Sequence, residues 1–580
     1  MKKLMLGNEA VARGAYEAGA TVAAAYPGTP STEITENIAK YDEIYSEWSP
    51  NEKVSLEVVI GASIAGARSI CAMKHVGLNV AADPLFTASY TGVNAGLVIV
   101  VADDPGMHSS QNEQDSRFYA RSSKVPMLEP SDSSECKDFV KEAFRISEEY
   151  DTPVIVRLST RVAHSQSIVE ICERPQRPLT PYKKNPGKYV MMPAMARIRH
   201  VEVEKRMKAL AEYSNTSSIN TIEWGNTKIG VITSGVSYQY AKEVMVDASF
   251  LKIGMVHPLP LKLIEDFASK VDTLYVIEEL EPFIEDQVKK LGIKVIGKDI
   301  LPVIGELSAQ IISEKILGKK TEIDVPLDTS SPVRPPVMCP GCPHRGMFHV
   351  LKKLKLTVSG DIGCYTLGAL PPSEAMDTCV CMGASIGVAH GMEKAAGPEF
   401  RKKTVAILGD STFIHSGITG LIDVVYNKGN STVIILDNSI TGMTGHQHNP
   451  TTGFTIKGET TKQVDLVKLS NAVGVERVRV VDPFDIKEFE KVVKEETTAD
   501  EPSVIISQRP CALLKNVKFE GPQRINANCK QCKLCLSIGC PAIVDLGDRV
   551  SINEALCVGC KLCTKLCNFG AIEKAGENNG

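Results

Sequence analysis

Eight cysteines stand close together near the end of this 580-residue chain. They are Cys529, Cys532, Cys535 and Cys540, the last followed by Pro541, and then Cys557, Cys560, Cys563 and Cys567. The spacing is C-x2-C-x2-C-x4-C-P, a gap, and C-x2-C-x2-C-x3-C. A cubane iron–sulfur cluster takes four thiolates. A tight triplet supplies three of them from one loop, and the fourth comes from the opposite run. The pattern therefore assigns Cys529, Cys532, Cys535 and Cys567 to one [4Fe-4S] cluster, and Cys540, Cys557, Cys560 and Cys563 to a second. Zinc favours paired C-x2-C motifs separated by a longer loop. A disulfide framework belongs to small exported chains. Two clusters in series carry single electrons, so the rest of the chain must supply or accept them.

A second constellation lies upstream. Val405-Ala406-Ile407-Leu408 reads as a strand ending in Gly409-Asp410-Ser411, and Val433-Ile434-Ile435-Leu436 as another ending in Asp437-Asn438-Ser439-Ile440. Two strand ends joined by one crossover helix can present Asp410 and Asn438 side by side. A carboxylate, an amide oxygen and a backbone carbonyl suit Mg²⁺, a hard cation that usually keeps phosphate oxygens as well. Gly409 allows a diphosphate close to the backbone. The pair resembles the G-D-G…N-N signature of thiamine diphosphate enzymes, with Ser411 in place of the last Gly and Asp437 in place of the first Asn. That resemblance implies Mg²⁺ held by Asp410, Asn438 and the carbonyl of Ile440.

The elements that must position these groups read as α/β. Thr21–Ala25 runs into the turn Tyr26-Pro27-Gly28-Thr29-Pro30-Ser31, Leu97–Val101 runs into Ala102-Asp103-Asp104-Pro105-Gly106, and Pro153–Arg157 is a third strand. Strand, polar turn and helix in repetition predict a parallel sheet, whose ligands sit at the carboxyl ends of its strands. The Tyr26–Ser31 turn and the Asp103–Arg117 loop are the places to look. A small-residue helix follows Asn51-Glu52-Lys53 and contains Gly61-Ala62 and Gly66-Ala67. Residues from about 172 to 226 begin rich in Pro, Lys and Arg and read as a connector, partly helical around Val201–Tyr213. A second α/β stretch starts at Lys228, with strands at Ile229–Thr233, Leu274–Ile277 and Val295–Gly297. Its Glu278, Glu279 and Glu281 read as surface or interface charges. Val325–Pro336, with four prolines, reads as a linker.

Taken together these motifs resemble the large subunits of the 2-oxoacid:ferredoxin oxidoreductases over essentially the full length. The matching stretches are Tyr26–Ser31, Asn51–Lys53, Cys339-Pro340-Gly341-Cys342-Pro343-His344-Arg345 and the tail. The resemblance implies an α/β fold of several parallel-sheet domains. A pyrimidine-binding-type thiamine diphosphate domain would span 1–175, a connector 176–225 and a transketolase C-terminal-like domain 226–325. A linker at 326–336, a diphosphate- and Mg-binding domain at 337–515 and a two-cluster ferredoxin-like domain at 516–580 would follow. It implies CoA-dependent oxidative decarboxylation of an aryl 2-oxo acid, with ferredoxin as electron acceptor. The same chemistry on pyruvate or a branched-chain oxo acid is an alternative. So is an electron-transfer subunit with a vestigial thiamine site, although both magnesium ligands are kept.

Site roles follow from the same resemblance. The glutamate that faces the aminopyrimidine stands a little over two turns before a Gly-Ala pair. Glu57 ahead of Gly66-Ala67 is preferred, since it lies within the helical run, and Glu52 ahead of Gly61-Ala62 is the other register. Thr29 would contact substrate, and Arg117 would take the 2-oxo acid carboxylate, which suits a bidentate guanidinium. Cys339, Cys342, Cys364 and Cys511 resemble positions where relatives bind a further [4Fe-4S] cluster beside the thiamine; a structural zinc on the same cysteines and plain thiols are the alternatives. A smaller domain of larger relatives is missing here, which implies a separate β subunit and an α2β2 assembly. Coenzyme A and ferredoxin are the remaining expected partners.

Composition sets the limits. Lys plus Arg number 65 against 69 Asp plus Glu, a net charge of −4, so no basic footprint points to nucleic acid. No apolar run reaches membrane-spanning length, and no signal peptide develops after Met1. Seventeen cysteines without an export signal predict metal ligands in a reducing cytoplasm. Cys71, Cys136, Cys172, Cys379 and Cys381 are expected to be ordinary thiols.

Overall fold

The computed structural model describes residues 1–319 and 335–576. The expected linker lies outside the described residues, apart from its last two prolines. The chain divides into two compact units, Met1–Leu327 and Asp328–Gly580, and each is described by itself.

In the first unit, seven strands form one sheet: β1 (Val22–Ala25), β2 (Tyr45–Trp48), β3 (Ser69–Lys74), β4 (Leu97–Asp103), β5 (Met127–Leu128), β6 (Val154–Ser159) and β7 (Met255–His257). Their order is β7–β5–β6–β4–β3–β1–β2. All pairs are parallel except β7 with β5. Strand β4 is buried throughout, as a near-continuous apolar run must be when helices cover both faces of a parallel sheet. Registers Lys74↔Ala102 and Asp103↔Ser159 bring the carboxyl ends of β3, β4 and β6 to one edge. Helices α1 (Thr32–Ile38) and α2 (Glu52–Ile64) enter that edge after β1 and β2. Asn51 caps α2, its side chain accepting from the Val54 N–H at 2.9 Å.

The proline-rich connector is more ordered than its composition suggested. A helix spans Pro193–Thr216. Its Val203 and Leu210 are buried, and Arg206 donates to the carbonyl of Ser89. The stretch from 226 onward contributes to a four-stranded sheet built from Thr221–Glu223, Asn226–Thr233, Ala248–Lys252 and Thr273–Ile277. It also sends β7 to the edge of the first sheet, so it is packed into the same unit. The strand expected at Val295–Gly297 is only an isolated bridge between Tyr275 and Ile296. Its apolar run is too short to extend a ladder.

In the second unit, six parallel strands form a sheet: β8 (Thr357–Gly360), β9 (Thr378–Cys379), β10 (Thr404–Gly409), β11 (Thr432–Asp437), β12 (Arg477–Val481) and β13 (Ser503–Gln508). The order is β9–β8–β10–β11–β13–β12. Two small antiparallel pairs build the tail: Gln523–Ile525 with Ile572–Lys574, and Ile543–Asp545 with Val550–Ile552. Tail residues Ile538, Ile552, Leu562 and Leu566 share one apolar core with Met347, Phe348, Val405 and Ile434. The tail is therefore folded onto the sheet domain by ordinary hydrophobic burial.

Candidate active site

At the carboxyl edge of the second sheet, Gly409 pairs with Leu436 in parallel register, so the next residues, Asp410 and Asp437, stand at neighbouring strand ends. A helical segment starts at Asp410 and continues to Tyr426 through one wide turn at Phe413–Gly417. Asp410 is buried. Its Oδ1 accepts from the Ser411 N–H at 2.7 Å, and its Oδ2 accepts from the Thr451 hydroxyl at 3.2 Å. Burial and the neighbouring Asp437 carboxylate push Asp410 up to about 7. Neither carboxylate has an ion pair among the described residues. The Asn438 Oδ1 accepts from the Ile440 N–H at 3.3 Å, and Ser439 between them takes the left-handed conformation, φ 60°. Two buried acids and an amide oxygen without a cation form a hard-oxygen donor set, and the residues fit Mg²⁺ on a diphosphate. Thr451, which braces Asp410 from far along the chain, carried no signal in the sequence.

The cysteines are all free thiols. Cys529, Cys532 and Cys567 are the charges that push Cys535 up after burial, so the first run and the last cysteine of the second lie together. Cys560, Cys557, Cys540 and also Cys535 do the same to Cys563. The two runs are thus close together, with Cys535 bordering both. Backbone N–H groups of Ala571 and Gln523 donate to the sulfurs of Cys567 and Cys557 at 3.3 and 3.4 Å. A third group gathers the scattered cysteines. Cys339 and Cys364 lie beside Cys342, and Cys339 and Cys511 lie beside Cys364. Among the described residues no three His, Cys, Asp or Glu side chains converge as ligands of a single ion do. Thiolates around a cubane grip different irons and stand further apart, so these sets fit a cluster by grouping rather than by convergence.

Between the third group and the tail lies Arg345, nearly buried, whose guanidinium faces Cys342, Cys540, Cys339 and Cys560. It donates to the carbonyls of Cys339 and Ile538 at 3.0 Å, and also to those of Met338 and Gly539. A Cβ on Gly341 would meet the Cys560 Cβ at 3.5 Å, so the two thiol loops are in contact there.

At the carboxyl edge of the first sheet, two expectations need correction. Glu57 lies on the outer face of α2 with its side chain 44% exposed, and it pairs with Lys53 one turn earlier. Glu52, at the first position of α2, is 4% exposed. Its carboxylate packs so tightly on Gly77 that a Cβ there would meet Oε1 at 2.6 Å. A preference for Glu57 because it lies within the helical run ignored which face that run buries. Arg117 is 1% exposed. It pairs with Asp115 and Glu278, donates to the carbonyls of Glu279 and Glu281, and stacks on Phe283 at 5.2 Å. A guanidinium so enclosed acts as a structural brace: two buried carboxylates already face it, and of its five donors only one Nη1 hydrogen is unspent among the described residues. Nor are Glu278 and Glu279 surface charges: both are buried, and burial pushes Glu279 up to about 7.

Thr29 is half-buried in the turn after β1, and its carbonyl accepts from the Ser109 hydroxyl at 3.1 Å. Asp104, at the end of β4, organises that loop. It accepts from the Ser109 N–H at 2.8 Å and from the Ser110 and Thr160 hydroxyls, each at 2.7 Å. Beside them Lys74 ends β3, its stem against Gly28 and its ammonium donating to the Ser109 carbonyl at 2.9 Å. Lys74 escaped the sequence reading, and Asp104 entered it only as part of the Asp103–Arg117 loop, without a role. Their signal was their place at the ends of the apolar runs Ser69–Met73 and Leu97–Ala102.

Residues 13–223 match the family model described as pyruvate flavodoxin/ferredoxin oxidoreductase, thiamine diP-bdg, and residues 361–507 match thiamine pyrophosphate enzyme, C-terminal TPP binding domain. The indolepyruvate oxidoreductase subunit IorA of Archaeoglobus fulgidus is 41% identical over 100% of this chain and 98% of its own. That of Pyrococcus horikoshii is 42% identical over 99% and 97%. This chain belongs to the IorA family. It therefore belongs with the 2-oxoacid oxidoreductases, and both thiamine-diphosphate-binding domains are present. The 2-oxoglutarate synthase subunit KorA of Methanothermobacter marburgensis is more distant, 26% identical over 54% of this chain and 98% of its own. A 2-oxoglutarate:ferredoxin oxidoreductase structure from Magnetococcus marinus, titled as holding 2-oxoglutarate, coenzyme A and succinyl-CoA, covers 55% of this chain and 65% of its own, with a TM-score of 0.47 at 19% identity.

Proposed function

We propose that this IorA-family chain carries out the CoA-dependent oxidative decarboxylation of aryl 2-oxo acids, indolepyruvate to indoleacetyl-CoA and CO₂, and passes the electrons to ferredoxin. Thiamine diphosphate, when bound, supplies the carbon nucleophile and electron sink for decarboxylation. Asp410, Asn438 and the carbonyl of Ile440 hold Mg²⁺ on its diphosphate, with Gly409 and Ser411 lining the same strand end. Glu52 faces the aminopyrimidine, where a buried carboxylate can hold a proton at the ring nitrogen. Thr29 contacts the substrate.

One observation carries this reading. The four scattered thiols gather beside the loop that follows Asn438, where a Cβ on Gly442 would meet the Cys364 sulfur at 3.4 Å. Sulfur ligands next to a diphosphate loop serve a reaction that releases electrons. We assign a third [4Fe-4S] cluster to Cys339, Cys342, Cys364 and Cys511, between the thiamine site and the two tail clusters. Exposed Cys532 makes its tail group the exit to ferredoxin. The subunit letter in the relatives' names supports a partner subunit, taken here as a smaller β subunit in an α2β2 assembly, and seventeen cysteines with no disulfide among them support a reducing cytoplasm. Among the described residues no helix is long and apolar enough to cross a membrane.

The test is ferredoxin reduction by the chain assembled with its partner subunit, assayed with indolepyruvate, phenylpyruvate and pyruvate. Activity should require CoA, Mg²⁺ and thiamine diphosphate, and should favour the aryl acids. Equal or better turnover of pyruvate would overturn the substrate assignment. Reduction independent of thiamine diphosphate would overturn the chemistry.

A further inference from the structure

With Arg117 committed elsewhere, the carboxylate of the substrate needs another cation. We propose that Lys74 binds the carboxylate of the 2-oxo acid, next to Thr29 and Glu52. The proposal rests on the reading above and names the substrate-binding residue for it.

Lys74 is the last residue of β3, at the carboxyl edge where ligands of parallel sheets bind. It is 9% exposed. An ammonium has three donors, and among the described residues Lys74 makes one hydrogen bond, to the Ser109 carbonyl at 2.9 Å. It has no ion pair within that set. Asp104 and Glu52 lie near enough to favour its charge, yet Asp104 spends its oxygens on Ser109, Ser110 and Thr160. A buried ammonium with spare donors and no paired carboxylate is costly. An anionic ligand relieves that cost.

The other buried cations of this edge already face two carboxylates each, although Arg157 keeps a buried Nη2 without a hydrogen-bond partner among the described residues. Arg157 lies between Asp103 and Glu129, and Arg117 between Asp115 and Glu278. The placement of Lys74 is built rather than incidental. A Cβ on Gly28 would meet its Cδ at 3.2 Å, so the Tyr26–Ser31 turn holds the stem from one side. Ser109 ties that turn to the ammonium, its hydroxyl on the Thr29 carbonyl and its own carbonyl on Nζ. Burial pulls Lys74 down to about 8, so it is charged at neutral pH but loosely enough to gain from an incoming anion.

The experiment compares wild type, Lys74→Gln and Lys74→Arg in the assembled enzyme, with phenylpyruvate as substrate. Glutamine removes the charge and keeps a polar N–H donor on a slightly shorter side chain. The loss of one charge-assisted hydrogen bond should raise KM for the 2-oxo acid by about 10- to 100-fold. KM for CoA and the affinity for thiamine diphosphate should stay as in wild type, and Lys74→Arg should recover part of the loss. Inhibition supplies a second readout. 3-Phenylpropionate should inhibit the wild type better than its amide, and Lys74→Gln should abolish that preference. An unchanged KM with the carboxylate preference intact in Lys74→Gln would overturn the proposal. A wild-type enzyme inactive on every 2-oxo acid would overturn the underlying reading and this proposal with it.

Discussion

The backbone N–H of Cys511 donates to the carbonyl of Asn438 at 3.0 Å. A thiol of the third group and a residue proposed to hold Mg²⁺ are thus one hydrogen bond apart across neighbouring strand ends. The site that would generate electrons and the group that would receive them are positioned by the same strand ends, β11 and β13. From there Gly341 and Arg345 connect the group to Cys540 and Cys560 of the tail. Replacing Cys364 or Cys511 by serine should leave the tail thiols untouched. Anaerobically reconstituted protein should fall from about twelve irons per chain to about eight. Equal iron in wild type and both variants would remove the third cluster from the path.

Glu52 and Glu57 separate cleanly by mutation. Glu52→Gln keeps shape and removes the proton-holding carboxylate from a buried position against Gly77, and turnover should drop about 10²- to 10⁴-fold, the usual worth of a positioned acid–base group. Glu57→Gln loses one exposed pair with Lys53, and turnover should stay within a factor of two or so of wild type. The opposite ranking in steady-state assays would return the role to Glu57.

What the sequence made legible were features carried by local spacing. The tail cysteines of the two runs lie close together, and the Gly409–Ser411 and Asp437–Ile440 turns end neighbouring parallel strands, because both patterns are carried by short segments of chain. The errors at the carboxyl edge of the first sheet concern burial. Glu52 and Glu57 are both glutamates of one helix, and only packing against Gly77 says which is inside. Arg117 looked like a free guanidinium until Glu278, distant in sequence, was found on its Nη1 at 2.5 Å. Lys74 was missed for the same reason, since a lysine after an apolar run reads as a solvated strand end. Long-range partners decide whether a charge is a ligand or a brace, and no local pattern carries them.

Arg117 makes a stability prediction instead of a substrate one. It is enclosed by Asp115, Glu278 and two backbone carbonyls, and its removal leaves two buried carboxylates without their partner. Breaking such a pair costs about 3–5 kcal/mol. Arg117→Met should lower the denaturant midpoint of unfolding by a matching amount. Whatever folded enzyme remains should show a KM for the 2-oxo acid within a few fold of wild type. A large rise in KM with little loss of stability would restore the carboxylate role to Arg117.

The charge on Lys74 also fixes an alkaline limb. Three titratable groups face it: Glu52 on α2, Asp104 at the end of β4, and its neighbour His75, which burial holds down with the Lys74 charge adding to it. The two carboxylates favour the ammonium, but burial outweighs them and brings Lys74 from 10.5 to about 8. The sign follows directly. Below about pH 8 the side chain is charged and takes a carboxylate; above it the neutral amine does not. In the free enzyme kcat/KM for the 2-oxo acid should therefore fall tenfold per pH unit above about 8, while kcat, measured with substrate bound, should hold to higher pH because the bound anion stabilises the ammonium. Lys74→Arg, with a guanidinium that stays charged, should lose this limb and keep a flat kcat/KM through pH 9. If wild type and Lys74→Arg share the same limb, the titrating group lies elsewhere and the lysine is not the carboxylate's partner.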